Sequence, residues 1–462
     1  MAFPSKKLFA WVIGGFLFFL YPSKTYDRGV DASTPRLTEQ TLFVALDGIP
    51  FSMVQDLYQK NKFPAFQAPS RVIATFPSTT TTGFTGLFRS LGAQKAPGYD
   101  ARFFSYPLQE VRGNLLDAYD FEAADYNRYF SYNRNTGFRQ VVMYTLPRFA
   151  LENDLKQLKP LIWDHPEKEA IFFYVGSTDG AGHLDGPDQC RELLLEVSAF
   201  VENLRQRYRA DFKRDLRVVF FSDHGFHWAD LKKIDVGDFE DRLKKTGLKL
   251  SENLKDPNQV VAITWGNISG GDLYTNEALA PKVSQVLLEI PGVDLVAYRL
   301  SGNIRVEAPR SRNESAEILF DEEGKRFGYR PLEGDPLGYL PVLEALREEK
   351  KLDSREMALE KDWFEKTKDN LYPDALYRLH DAFFGLVENP AALLLSTKED
   401  YEFGDNLTRF GASLRGGMVG THGALSHDSS SAFIMTTDPK IQFPSVVRYD
   451  EAFLPFKKEK VF

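Results

Sequence analysis

Five short, mostly apolar runs punctuate the first half of the chain: Leu42–Leu46, Val72–Thr75, Gln140–Tyr144, Ala170–Val175 and Val218–Phe221. None alternates apolar with polar positions, and runs of this length without alternation are the pattern of strands buried on both faces. Helical-looking stretches separate most of them. Strands joined through helices imply right-handed crossovers, so the pattern predicts an α/β fold with a mostly parallel central sheet flanked by helices. In such sheets ligands bind outside the carboxyl ends of the strands.

From about Asn267 to Phe410 the texture changes. Charged helical stretches, Leu340–Lys351 and Ser354–Lys366, follow a hairpin-like region from Val293 to Tyr329. Within it, Asp294–Arg299 and Asn303–Val306 are joined by Leu300-Ser301-Gly302, a Gly-containing turn suited to a β-hairpin. Core character returns at Ser431–Thr436. The expected organisation is an α/β core over residues 41–266 plus 411–445, with residues 267–410 inserted as an α+β cap that sets specificity. A length of 462 residues accommodates this arrangement.

Ahead of the core, Lys6 and Lys7 precede a 14-residue apolar run, Leu8 to Tyr21. As a helix it reaches about 21 Å, short of a roughly 30 Å hydrocarbon core, and matches a signal-peptide h-region better than a full span. Residues 1–25 are therefore expected to be a signal peptide or a short membrane anchor, and the protein extracytoplasmic: periplasmic or in the cell envelope, secreted or anchored. Residues 26–40 read as a polar linker.

Composition narrows the chemistry. With 57 Lys+Arg against 65 Asp+Glu the net charge is −8, which argues against gripping nucleic acid by charge alone. A phosphate would need a local source of positive charge. The single Cys190 excludes an intramolecular disulfide and a cysteine-cluster metal site, leaving His and carboxylates as the ligands for any metal. Aromatic content of 14% supplies material for a thick core.

The strand ends carry that chemistry. Leu42–Leu46 runs into Asp47-Gly48, Val72–Thr75 into Phe76-Pro77-Ser78-Thr79-Thr80, Ala170–Val175 into Ser177-Thr178-Asp179-Gly180-Ala181-Gly182-His183, and Val218–Phe221 into Ser222-Asp223-His224-Gly225. Gly420-Thr421-His422-Gly423 precedes the last apolar run. Taken singly, each has an ordinary explanation: Asp-Gly is a turn, and a Thr before a helix is an N-cap. Together they bring three Asp and three His to one edge of a sheet, where unpaired carboxylates repel and demand cations. Two divalent metals answer that demand and leave an anion-attracting centre.

These motifs resemble the alkaline phosphatase superfamily, specifically its type I phosphodiesterase/nucleotide pyrophosphatase branch, over about Thr41–Trp228 and Gly416–Thr437. The order Asp, nucleophile, Asp-x-x-x-His, Asp-His, His along the chain is that branch's order. The resemblance implies that Asp47, Asp223 and His224 bind the metal beside the nucleophile, and that Asp179, His183 and His422 bind the other. Oxygen and imidazole ligands with several carboxylates suit zinc, with manganese as the alternative. The Phe-Pro-Ser-Thr-Thr pattern selects Thr80 as nucleophile, whereas alignment to a Thr-Phe-Pro form selects Thr75, and Thr79 stands between them.

The implied activity is a two-metal phosphodiesterase acting through a covalent phosphothreonine on a small-molecule or lipid phosphate ester. The segment Ala96-Pro97-Gly98-Tyr99-Asp100-Ala101-Arg102 departs from the branch's Pro-x-x-His-Gly pattern, which puts a nucleotide pocket in doubt. Tyr99, Arg102 and His227 are candidate substrate contacts. Rival readings are a phosphoethanolamine or phosphoglycerol transferase on the same fold, a phosphomonoesterase, and a non-catalytic envelope protein. A sulfatase is disfavoured, because Cys190 lies in Cys-Arg-Glu-Leu and lacks the Cys-x-Pro-x-Arg pattern.

Overall fold

The computed structural model describes residues 40–113, 124–133, 138–263, 268–321, 323–404, 413, 416–459 and 461. The expected leader at residues 1–25 lies outside them. Four of the five apolar runs form strands of one sheet: β1 (Gln40–Leu46), β2 (Ser70–Ile73), β3 (Ala170–Val175) and β4 (Leu216–Phe221). Joined by β5 (Ser431–Thr436) and β6 (Val446–Arg448), they stand in the order β6-β2-β5-β4-β1-β3.

Pairing is parallel for β1 with β3 and β4 and for β2 with β6. Only β5 runs against its neighbours β2 and β4. That reversal matters for the site. Residues before an antiparallel strand lie at the same edge as residues after the parallel ones, so His422 reaches the edge where Asp47 and Asp223 sit. All seven residues of β1 are buried, as both-face coverage requires. One face packs Phe43 flat on Phe172, ring centroids 4.4 Å apart, with Phe88, Phe221 and Phe453 closing around them.

The fifth run does not form a strand. Gln140–Tyr144 lies within a helix, Phe138–Thr145, because a short apolar run has the same pattern in a buried strand and in a buried helix face. Packing decides between them. Met143 is buried against the helix Ser177–Leu184 that follows β3, where a Cβ on Gly180 would sit 2.5 Å from the Met143 carbonyl. The glycine allows the two helices to touch.

A second, nine-stranded sheet carries the expected hairpin as Val293–Leu300 and Asn303–Glu307. Its turn residues Ser301 and Gly302 both have positive φ, the requirement of a two-residue type I′ connection. The sheet begins ahead of residue 267, taking in Lys249–Leu250 and Gln259–Ile263. The helix expected from Ser354 starts only at Glu360. Before it, the Asp353 carboxylate accepts the N–H groups of Arg355 and Met357, which favours a turn over a helix, and Ala358–Leu359 pairs as a strand.

This second layer is fastened to the loop that follows β2. Arg378, fully buried on the helix Ala375–Phe384, donates to the carbonyls of Thr75 (3.0 Å), Leu425 (2.8 Å) and Pro373 (3.1 Å). Arg89 forms a two-pronged pair with Asp381 on the same helix, both contacts at 2.9 Å.

Candidate active site

The helix Thr80–Phe88 begins at the carboxyl edge of the first sheet. Thr79 is its N-cap: its hydroxyl accepts the Thr82 N–H and donates to the Tyr99 carbonyl at 2.5 Å. Thr82 in turn donates to the Pro77 carbonyl at 2.5 Å, and Thr75 is buried with its hydroxyl on Thr82 and Pro77. In the crowded run Thr75, Ser78, Thr79, Thr80, Thr81 and Thr82, only Thr80 is not buried. Its hydroxyl faces the Asp47 carboxylate at 3.4 and 3.5 Å. The Thr80 and Thr81 N–H groups belong to the first turn and have no partner among the described residues, so they point a partial positive charge at the same place. Close approach of this helix depends on Gly83, where a Cβ would stand 2.9 Å from the Asp223 Cβ and carbonyl oxygen.

Around Thr80 the sheet edge gathers all six expected Asp and His side chains, each of them buried. The His224 Nε2 lies 3.4 Å from both Asp47 and Asp223. Asp179 Oδ1 is faced by His183 Nε2 at 3.5 Å and His422 Nε2 at 3.6 Å. The His224 and His422 rings stack at 3.9 Å, which places the two groups side by side. Donor atoms of Asp47, Asp223 and His224 fall within 4.8 Å of one another, as do those of Asp179, His224 and His422.

Each imidazole is oriented through its Nδ1, which meets a backbone carbonyl: Gly420 for His183 (2.9 Å), Gly225 for His224 (3.0 Å) and Ser78 for His422 (2.8 Å). With the proton held there, every Nε2 offers a lone pair to the centre, the arrangement of metal-ligating histidines. Two tyrosines and a backbone amide hold the carboxylates. Tyr144 donates to Asp179 at 2.8 Å, Tyr174 donates to Asp47, and Gly48 N–H reaches Asp223 at 3.2 Å.

The centre is electrostatically incomplete without cations. Asp179 Oδ1, Asp223 Oδ2 and His224 Nε2 are buried without a hydrogen-bond partner. Burial, reinforced by Asp223, pushes the Asp47 carboxyl up to about 6, and burial raises Asp179 and Asp223 too. Burial alone would lower the His224 imidazole, but the carboxylates of Asp223 and Asp47 outweigh it and hold it up to about 10. His422 is pushed well below its ordinary value by burial and by the two neighbouring imidazoles. Orphaned atoms on a mixed carboxylate and imidazole set fit divalent metals of the zinc or manganese type.

The other candidates separate. Tyr99 lies in the core with its hydroxyl donating to the Ala382 carbonyl (2.9 Å) and accepting the Ala391 N–H (3.2 Å), so packing has taken the group that was to meet substrate. His227 turns its Nδ1 to Asp428 (3.1 Å) and Glu399 (3.4 Å), a separate cluster. Arg102 is half-buried and forms no ion pair among the described residues. Sequence reasoning overlooked Tyr144 and Tyr174. Tyr174 carries a faint signal as the polar-tipped residue near the end of an apolar strand, whereas Tyr144 sits in the run read as a strand.

Comparison with known proteins gives a consistent result. The type I phosphodiesterase/nucleotide pyrophosphatase family model matches residues 89–329, slightly more than half the chain. No curated protein matches the sequence. Among solved structures, human ectonucleotide pyrophosphatase/phosphodiesterase 5 is similar in fold, with a TM-score of 0.51 at 10% identity, over 92% of this chain and 95% of that one. The murine form scores 0.49 at 10% identity over the same shares, 92% and 95%. Phosphonoacetate hydrolase from Sinorhizobium meliloti scores 0.49 at 11% identity, over 93% of this chain and 97% of that one. The chain belongs to the type I phosphodiesterase/nucleotide pyrophosphatase family, and is a phosphoric ester hydrolase.

Proposed function

We propose that the protein is an exported two-metal phosphodiesterase that cleaves a small-molecule or lipid phosphate diester through a phosphothreonine on Thr80. The observation that carries this reading is the half-buried Thr80 hydroxyl at a helix N-terminus, 3.4 Å from Asp47 and beside the buried Asp and His cluster. Asp47, Asp223 and His224 would hold one divalent ion and Asp179, His183 and His422 the other, zinc being the better match and manganese the alternative. When bound, the two ions would lower the pKa of the attacking hydroxyl and neutralise charge on the phosphate oxygens.

The residues then have defined tasks. Thr80 Oγ1 gives up its proton and bonds to phosphorus as the ester oxygen opposite leaves and is protonated. Water next attacks phosphorus, the bond to Thr80 Oγ1 breaks, and the hydroxyl recovers its proton. The Thr80 and Thr81 N–H groups steady the phosphate oxygens, with Arg102 a candidate to assist.

Preference for diesters follows from where the guanidiniums go. Arg89 is committed to Asp381 and Arg378 to three carbonyls, which leaves Arg102 as the one candidate guanidinium and neither of these two to clamp the further charge of a monoester. The purified, metal-loaded protein is expected to hydrolyse bis-(p-nitrophenyl) phosphate faster than p-nitrophenyl phosphate. A monoester cleaved much faster than the diester would replace this reading with a phosphomonoesterase. Export rests on Lys6-Lys7 and the apolar run after them. A phosphatase reporter fused after Gly29 should be active only outside the cytoplasm, and activity of a cytoplasmic-only reporter at that position would contradict it.

A further inference from the structure

Each of the three carboxylates at the sheet edge divides its two oxygens between tasks. In Asp179, Oδ2 accepts the Tyr144 hydroxyl at 2.8 Å, while Oδ1 is buried without a hydrogen-bond partner among the described residues and is the atom that His183 Nε2 and His422 Nε2 face at 3.5 and 3.6 Å. Asp47 repeats the pattern, since Oδ2 takes the Tyr174 hydroxyl and Oδ1 lies 3.4 Å from His224 Nε2. In Asp223 the Gly48 N–H holds Oδ1 at 3.2 Å, and the unpartnered Oδ2 faces His224 Nε2 at 3.4 Å. One oxygen of each is tied back and the other is offered.

The two phenols come from separate elements. Tyr174 stands near the end of β3 and is 3% exposed, so the core around its ring fixes its hydroxyl. Tyr144 comes from the helix Phe138–Thr145, which reaches Asp179 because Gly180 has no side chain; a Cβ there would stand 3.0 Å from the Tyr144 Cα. The Tyr144 ring also lies beside that of His183, centroids 6.1 Å apart. On the offered side the space is kept clear. Gly48 has a φ of 66°, and a Cβ on it would stand 3.1 Å from Asp179 Oδ1 and 3.3 Å from the His224 ring.

The number of oxygens each carboxylate offers decides how many positions an ion has left. With one oxygen apiece, Asp179, His183 and His422 supply three donors and Asp47, Asp223 and His224 supply three more, and a zinc-type ion with three protein donors keeps a fourth position for a reactant. A carboxylate that chelates through both oxygens fills that position. A hydroxyl fixed on one oxygen opposes chelation, because turning that oxygen to the ion would strand the donor.

We infer that Tyr144 and Tyr174 are positioning residues that hold Asp179 and Asp47 to ligation through one oxygen, and so keep a coordination position open on each ion for phosphate and for Thr80. The inference rests on the two-metal reading above. Its test is the visible spectrum of the protein after chelation and reloading with cobalt(II), whose absorption is intense in four-coordinate sites and weak in five- or six-coordinate ones. The wild-type protein should show the intense band. Tyr144→Phe, which keeps the ring and removes only the hydroxyl, should lose one ion's share of that band while both ions stay bound, and Tyr174→Phe should do the same at the other ion. Inorganic phosphate should perturb the wild-type band by taking the open positions, and should leave the closed site of each variant unchanged. Hydrolysis by either variant should fall about tenfold or more, chiefly in kcat.

A weak band in the wild-type protein would overturn the inference whether or not the variants fold, and so would an undiminished band in either folded variant. Both results leave the two-metal reading standing. Protein that takes up no cobalt would overturn the two readings together.

Discussion

Replacing Thr80 by alanine should lower turnover by at least about a thousandfold while the fold, the metal content and substrate affinity stay close to wild type. A Thr hydroxyl is a weak nucleophile, so its contribution lies in the transition state and its loss falls on kcat rather than KM. Structural damage should be slight, because the helix is capped by Thr79 and, among the described residues, the Thr80 side chain makes only the long contacts to Asp47. Thr75→Ala should do the reverse. Its hydroxyl is buried and bonded to Thr82 and Pro77, so the variant should lose about 1–2 kcal/mol of stability and keep most of its turnover. Single-turnover kinetics on both variants, with denaturant unfolding alongside, decides the matter. If Thr75→Ala is inactive and Thr80→Ala turns over normally, the nucleophile is Thr75.

Removing ligands should have an effect of similar size. Elemental analysis of the wild-type protein should show about two transition-metal ions per chain, and Asp179→Ala combined with His183→Ala about one. Asp179 is the hinge of its group, since His183 and His422 both face its Oδ1, and without it two imidazoles remain with no carboxylate between them. Hydrolysis should drop by about a hundredfold or more and should return to wild-type protein, after chelation, on adding zinc. Fully active protein free of transition metal would refute the two-metal reading. So would a double variant that keeps both ions.

Most of the candidate site is legible in the order of residues along the chain, for a physical reason. Metal chemistry demands particular residue types, and a parallel sheet places whatever follows its strands along one edge, so Asp47, Asp179 and Asp223 announce themselves by following β1, β3 and β4. Even His422 can be anticipated from its motif, although its route to that edge depends on β5 running antiparallel. Hidden from the sequence are residues whose role comes from direction rather than type. Tyr99 and Arg102 are close in the chain, yet Tyr99 is locked into the core while Arg102 stays half-buried. Tyr144 reaches Asp179 only because its segment is a helix, and an apolar run of five residues does not declare which it will be.

By itself, the sequence determined the α/β class, four strands of the first sheet and the set of side chains able to hold cations, because burial and ligand chemistry act on residue type and short spacing. Tertiary structure alone decided which of six neighbouring hydroxyls stays open. Thr75, Thr79 and Thr82 spend theirs on one another and on nearby carbonyls, and Thr80 is left facing Asp47, a choice set by hydrogen-bond partners between 3 and 33 residues apart that no local pattern records.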